Sequence, residues 1–150
     1  LNAFNAANGF IVPLQTEYYA MEGLAQLMNT VRLIRSSLNP NLAMEGILLT
    51  MFDSRVSLHK QVSEEIRNHF GSDVFETIIP RNVKLSESPS FGKPVILYDI
   101  ESTGSKAYLS LAKELLLRER TKAAEKKNET GMPDVPLIER LDQQLQTQLN

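Results

Sequence analysis

Short apolar runs alternate with segments of helically spaced apolar residues along the first part of the chain. The run Phe10–Leu14 follows the helix-ending pair Asn8-Gly9 and predicts a buried strand. The segment after it predicts a helix, because its apolar residues recur at steps of three and four and share one face. These residues are Ala20, Leu24, Leu27, Val31, Ile34 and Leu38.

The same alternation continues beyond this helix. Further strands are predicted from continuous apolar runs at Met44–Phe52, Val74–Ile79 and Pro94–Asp99. A helix is predicted from about Leu58 to Phe70, ended by Gly71. A longer helix is predicted from Ser102 to about Lys127, with a buried side made of Tyr108, Leu111, Ala112, Leu115 and Leu116.

Strands that alternate with helices indicate an α/β fold with a mostly parallel sheet and helices on both of its faces.

The sequence also indicates where the first long helix begins and ends. Gln15 or Thr16 stands where an N-terminal cap belongs, and Asn39-Pro40 is expected to end the helix.

The composition changes near residue 117. The stretch RERTKAAEKKNE is highly charged, TGMPDVP resembles a linker, and Ile138, Leu141, Leu145 and Leu149 then recur at helical spacing. We therefore predict a domain over residues 1–117 and a helical appendage over 118–150. The last segment is amphipathic, but its polar face is mostly Gln, which favours packing or a coiled coil over a membrane surface.

Charge and composition limit the possible functions. The 150 residues carry a formal net charge of −2, so any nucleic-acid binding must come from a local basic patch. The absence of cysteine excludes disulfides and thiolate metal sites, in agreement with a reducing cytosol. The chain begins without Met in what resembles the end of a helix, so we expect an upstream part.

The sequence does not match the familiar motifs of catalytic or phosphate-binding sites. Gly92-Lys93 resembles the end of a phosphate loop, but that motif needs glycine where Glu87 stands and a hydroxyl where Pro94 stands. His59 and His69 have no partner at metal-ligand spacing and are predicted to be ordinary helix residues.

The loops after the predicted strands are better candidates, because ligands of open α/β sheets bind beyond the carboxyl ends of the strands. Arg55, Arg81, Lys84 and Lys93 are expected to cluster there, either as an anion site or as solvated loop cations. The loop over residues 80–93 is long for a compact domain, which indicates function or disorder. Its Asn82 amide could pair with a flat heterocycle.

Several segments resemble one family closely. PLQTEYYAMEGLAQLMNTV, LNPNLAMEGILLTMFDSR, FETIIPRNVKLSESPSFGKPVILYD and STGSKAYLSLAKEL are similar to the C-terminal half of ParA/Soj-type chromosome- and plasmid-partitioning ATPases. The resemblance extends from Leu1 to about Leu117. It implies part of a P-loop NTPase-like three-layer sandwich, of the deviant-Walker type.

The resemblance also implies a function. Such proteins form a homodimer that encloses ATP and Mg²⁺, bind DNA without sequence preference, and are stimulated by a ParB-type centromere-binding protein. They act in the bacterial cytoplasm at the nucleoid, with no membrane expected. By the same resemblance, Pro80 and Asn82 match nucleotide-contacting positions and Arg55 and Lys84 match DNA-contacting ones. Arg81 and Lys93 would add to the same field.

The resemblance leaves out the catalytic centre. The family's phosphate loop, its Mg²⁺-binding hydroxyl and its catalytic Asp all precede the segment matched here, so no catalytic or metal residue is assigned. We therefore expect the chain alone neither to hydrolyse ATP nor to bind it tightly. Two alternatives stay open, a non-catalytic module that binds DNA or a partner, and a MinD-like positioning ATPase.

Overall fold

The computed structural model describes residues 2–129, and the side chains of residues 2–124. Its strands are β1 (Gly9–Gln15) and β2 (Ala43–Thr50). Its helices are α1 (Asn2–Ala6), α2 (Ala20–Ser37), α3 (Ser57–Phe70), α4 (Val83–Glu87), α5 (Val95–Tyr98) and α6 (Thr103–Glu129), with 3₁₀ turns at Gly71–Asp73 and Ser88–Phe91. The contacts divide the chain after Glu114. The predicted linker and amphipathic segment lie outside the described residues.

The strands β1 and β2 pair in parallel with one irregularity. Phe10 pairs with Met44, whereas Ile11 pairs with Gly46, so β2 carries an extra residue at Glu45. Gly46 has a φ of +156°, and a Cβ there would lie 2.7 Å from the Phe75 ring. Glycine is therefore required at this bulge, both by the backbone and by the aromatic ring packed against it.

Helix α2 connects the two strands and supplies much of the core. Its buried residues Leu24, Val31 and Ile34 belong to the face predicted from the sequence. Leu24 belongs to the main core cluster with residues of the strands and α3, which includes Val12, Ile47, Leu49, Val62, Ile66 and Val74. Val31 and Ile34 form a second cluster with Leu42. The predicted strands at Phe10–Leu14 and Met44–Phe52 and the first two helices are confirmed, with small changes at their ends.

The predicted cap of α2 is wrong. The helix begins after Tyr19, which makes no side-chain cap, because residues 17–20 form a turn closed by the Ala20 N–H on the Glu17 carbonyl. Thr16 is instead 1% exposed, and its hydroxyl has no hydrogen-bond partner within the described residues. The other end agrees with prediction, since α2 stops at Ser37, just before Asn39-Pro40.

The predicted strand Val74–Ile79 lies beside β2 but forms only isolated parallel bridges. The Phe75 N–H donates to the Ile47 carbonyl and the Ile79 N–H to the Leu49 carbonyl, both at 2.9 Å. Between these contacts, the Glu114 carboxylate accepts the backbone N–H groups of Glu76 and Thr77, both at 2.8 Å. A side chain thus takes two backbone donors of this segment that a strand would offer to a neighbour.

The predicted strand Pro94–Asp99 is wrong, because the segment forms helix α5. Pro94 stands just before the helix with φ −63°, and the Asp99 N–H closes the helix on the Val95 carbonyl at 2.8 Å. Without a neighbouring strand in the described part of the chain, the apolar run gains nothing from an extended conformation. Leu97 is accordingly 72% exposed.

The predicted buried side of α6 is only partly confirmed, because Leu111 and Leu115 are half-buried and no residue of the predicted set is fully buried. Tyr108 and Leu116 are exposed, whereas the residues buried at the start of this helix are Gly104 and Ser105. Gly104 approaches Leu85 so closely that a Cβ would lie 2.7 Å from its Cγ. Helix α6 therefore approaches α4 at Gly104, and the Ser105 hydroxyl donates to the Val95 carbonyl at 3.0 Å.

Candidate functional site

The loops that follow β2 and the segment beside it lie next to each other. Phe52 forms a parallel bridge with Pro80, in which its N–H donates to the Ile79 carbonyl at 3.2 Å. Its carbonyl accepts the Arg81 N–H at 2.9 Å. The turn that begins at Asp53 and the segment that begins at Pro80 therefore leave the carboxyl ends of two parallel segments side by side, where α/β folds bind ligands.

Arg55 is held in the first of these loops by Asp53. Its Nε and Nη2 donate to the two Asp53 carboxylate oxygens at 2.9 and 2.7 Å, and its backbone N–H donates to the same carboxylate. The Arg55 guanidinium lowers the pKa of Asp53 well below its usual range, and Asp53 raises the pKa of Arg55. The Asp53 side chain is 16% exposed and the Arg55 side chain 88%, so the pair presents its cation to solvent.

His59 anchors the same loop, a role that the sequence did not reveal. Its Nδ1 accepts the Asp53 backbone N–H at 3.0 Å, and its ring lies 6.1 Å from the Phe52 ring. The contact depends on how the turn folds back on the first turn of α3, so residue spacing alone gave no signal for it. His69, on the same helix, lies 3.0 Å through its Nδ1 from the Glu65 carbonyl of that helix and is not part of the loop.

The second loop is not an extended loop, because residues 83–91 form α4 and a 3₁₀ turn. Asn82 caps α4, since its Oδ1 accepts the Lys84 N–H at 2.9 Å. Its Nδ2 donates to the Thr103 hydroxyl at 2.6 Å, which links the start of α4 to the start of α6. The Asn82 amide, which the sequence predicts to pair with a heterocycle, thus already makes one hydrogen bond through its oxygen and one through its nitrogen.

Lys84 belongs to a small polar and aromatic cluster. Its Nζ lies 3.0 Å from Glu87 Oε2, which also accepts the Tyr98 hydroxyl at 3.1 Å. Lys84 and then Tyr98 lower the pKa of Glu87, and Glu87 raises the pKa of Lys84. Burial, then Glu87, raises the pKa of Tyr98, whose ring stacks on Phe91 at 5.0 Å. Lys84 is therefore oriented by its own helix and by α5.

The remaining predicted cations are less constrained. Arg81 and Lys93 are both exposed, and neither side chain has an ion pair within residues 2–129. Arg81 directly follows the Phe52–Pro80 bridge that joins the two loops. Lys93 follows the 3₁₀ turn, and its N–H donates to the Ser88 carbonyl. Arg55 and Arg81 thus begin neighbouring loops, Lys84 follows Arg81 on α4, and no described contact joins Lys93 to the other three.

Other classes of site find no support in the described part of the chain. No group of three or more His, Asp or Glu side chains there is placed to hold a metal ion. No helix among residues 2–129 is both long and apolar enough to cross a membrane. The candidate site is the set of basic side chains on the two adjacent loops, with Pro80 and Asn82 on the second of them.

The chain is similar in sequence to bacterial partitioning proteins. It is 58% identical to the chromosome partitioning protein ParA of Myxococcus xanthus, over 82% of this chain and 44% of that protein. It is 51% identical to the chromosome-partitioning ATPase Soj of Thermus thermophilus, over 79% of this chain and 47% of that protein. The chain spans about half the length of these relatives. A family model described as an AAA domain matches residues 1–44.

The fold of the chain is also similar to that of solved structures. Cobyrinic acid a,c-diamide synthase from Mycobacterium smegmatis superposes with a TM-score of 0.53 and 27% identity, over 87% of this chain and 43% of that one. That enzyme has also been solved with ADP and magnesium. The cell division ATPase MinD of Pyrococcus furiosus gives a TM-score of 0.57 at 19% identity, over 74% of this chain and 43% of that one. The predicted α/β, P-loop NTPase-like fold is confirmed.

Proposed function

Because the chain belongs to the ParA/Soj family of chromosome-partitioning proteins, we propose that it supplies the DNA-contacting and adenine-contacting loops of an ATP-dependent DNA-partitioning protein. The observation that carries this proposal is the parallel bridge between Phe52 and Pro80. The bridge joins the turn that holds Arg55 to the segment that continues to Arg81 and Lys84, which supports the proposal that these cations contribute to one basic surface.

The chemistry of these cations suits phosphate contacts. The ion pair with Asp53 uses Nε and Nη2 of Arg55, so the other terminal nitrogen is left for a phosphate oxygen. Lys84 offers a point charge, and Arg81 has no competing ion pair in the described structure. Contacts of this kind bind the DNA backbone of any sequence and depend strongly on salt.

The adenine side is proposed for Pro80 and Asn82. The Asn82 amide has used one N–H on Thr103 and one oxygen lone pair on Lys84, which leaves one donor and one acceptor for the edge of a base. Pro80 is half-buried and presents a rigid apolar ring beside it. The described residues thus fit the base of a nucleotide.

The phosphates and Mg²⁺ of the nucleotide have no partners assigned in this chain. When bound, Mg²⁺ neutralises charge that develops on the transferred phosphoryl group. We propose that this part of the chemistry depends on residues outside the chain, and that the chain alone is inactive. Homodimerisation around ATP, stimulation by a ParB-type protein and action at the bacterial nucleoid belong to the same proposal.

DNA binding by the protein at its full natural length tests the assignment. Arg55→Ala and Lys84→Ala should each weaken binding to unrelated DNA sequences equally and reduce the salt slope by about one unit per lost phosphate contact. Arg32→Ala, which removes an exposed cation from α2, is the charge-matched control. ATP hydrolysis without DNA should not change, because neither side chain is assigned to the nucleotide.

Unchanged affinity in both variants would refute the DNA assignment. DNA binding without any ATP hydrolysis in the protein at its natural length would instead favour the non-catalytic binding module.

A further inference from the structure

We propose that His59 is a positioning residue for DNA binding and acts on Arg55 through Asp53. This inference rests on the proposed function, because it takes Arg55 to be a DNA contact. It assigns a role to a side chain that lies behind the cations and contacts no ligand itself.

The first step is the hydrogen bond between α3 and the loop. The Asp53 N–H donates to His59 Nδ1 at 3.0 Å, so Nδ1 carries a lone pair and the ring proton lies on the other nitrogen. The ring packs beside Phe52, which is fixed by its own bridge to Pro80. His59 therefore sets the position of the Asp53 backbone relative to the end of the sheet.

The second step runs from Asp53 to Arg55. The Asp53 carbonyl accepts the Val56 N–H at 3.1 Å, which closes the turn, and the carboxylate holds the Arg55 guanidinium at two points. A free arginine side chain samples many rotamers, whereas this one makes two hydrogen bonds to the carboxylate of a residue whose backbone N–H is bound by His59. Ordering a cation before a phosphate arrives lowers the entropic cost of binding.

Substitutions at His59 that differ only in reach test the proposal. Asparagine places its side-chain oxygen as many bonds from Cβ as Nδ1 is, whereas glutamine carries the same amide one bond further. We expect His59→Ala and His59→Gln to weaken DNA binding by about two- to tenfold, the effect of one lost hydrogen bond. His59→Asn should retain the affinity, and His69→Ala, on the same helix but outside the loop, is the matched control.

A double-mutant cycle shows whether the effect passes through Arg55. In protein that already carries Arg55→Ala, His59→Ala should cause no further loss of DNA affinity, because the side chain it positions is absent. Thermal unfolding and ATP hydrolysis without DNA identify any variant that is merely misfolded. If His59→Ala does not fold, the comparison of His59→Asn with His59→Gln carries the test.

The possible outcomes separate this inference from the proposed function. If Arg55→Ala leaves DNA binding unchanged, the assignment of Arg55 as a DNA contact fails and the inference fails with it, whereas the proposed function fails only if Lys84→Ala is also without effect. If Arg55→Ala weakens binding while His59→Gln binds as tightly as the wild type, only the inference is wrong. A His59→Asn variant as weak as His59→Gln, or an equal loss from His59→Ala with and without Arg55, would also overturn it.

Discussion

The Lys84 ammonium lies 3.0 Å from the Glu87 carboxylate, one turn further along α4. The same carboxylate oxygen accepts the Tyr98 hydroxyl, so Glu87 is held in place from two sides. The charge of Lys84 is centred on a single nitrogen, and a phosphate would approach it at a similar distance. Glu87 therefore competes with DNA for the cation that we assign to DNA contact.

Removing this competing charge should strengthen DNA binding. We expect Glu87→Gln to raise the affinity for DNA by about two- to fivefold at low salt, the range of an exposed ion pair. Glu64→Gln changes the net charge equally on the exposed face of α3 and should have a smaller effect. Titration of both variants with DNA of unrelated sequence checks the expectation, and weaker binding by Glu87→Gln would contradict it.

The Asp53–Arg55 pair predicts a specific acid sensitivity. Arg55 holds the pKa of Asp53 well below its usual range in the folded protein, so the pair stabilises the fold fully above the ordinary carboxyl pKa near pH 4. This contribution is lost as the pH falls further and Asp53 is protonated. The Asp53→Asn variant should therefore lose less stability than the wild type between about pH 4 and about pH 2.

Urea unfolding at a series of pH values measures this difference. Curves of stability against pH that run parallel for the two proteins would show that the ion pair is not formed in solution.

The bulge in β2 predicts a costly glycine substitution. Gly46→Ala would place a Cβ 2.7 Å from the Phe75 ring and 2.9 Å from the Asp73 carbonyl oxygen, at a φ that alanine adopts poorly. We expect a loss of about 2 kcal/mol or more in the free energy of unfolding. Gly23→Ala is the matched control, since nothing lies within 4 Å of a Cβ there and α2 should gain up to about 1 kcal/mol. Urea midpoints of the two variants should move in opposite directions.

The Glu114 carboxylate predicts a second structural dependence. It accepts two backbone N–H groups, whereas the amide of Glu114→Gln has only one oxygen and turns an NH₂ group towards the other donor. We expect this variant to lose about 1–3 kcal/mol of stability. Glu119→Gln, in an exposed pair on the same helix, should stay within about 0.5 kcal/mol of the wild type. Equal unfolding midpoints for the two variants would argue against the role of Glu114.

The parts of the fold that local pattern determines were predictable. Helix α2 repeats its apolar residues over several turns, and β1 and β2 are apolar runs that follow Asn8-Gly9 and Asn39-Pro40. Pro94–Asp99 shows the limit of this reasoning, because an apolar run does not state whether a neighbouring strand exists. Without such a neighbour in the described structure, Pro94 favours a helix and the local preference prevails.

For the candidate site, only the positions of the loops were predictable from the sequence. The rule that loops follow parallel strands placed Arg55 and Arg81 near each other, and the Phe52–Pro80 bridge agrees with that expectation. The site assignments themselves stay predictions. The contacts of His59 and Glu87 depend on side-chain geometry within folded turns, for which residue spacing carries no signal.

The sheet has a practical consequence for anyone who divides or fuses this chain. Among residues 2–129, β1 forms a ladder with β2 alone, so the backbone groups along its other side have no strand partner there. A strand from another polypeptide could pair with that side of β1. Tags and crosslinks are therefore better placed away from Gly9–Gln15.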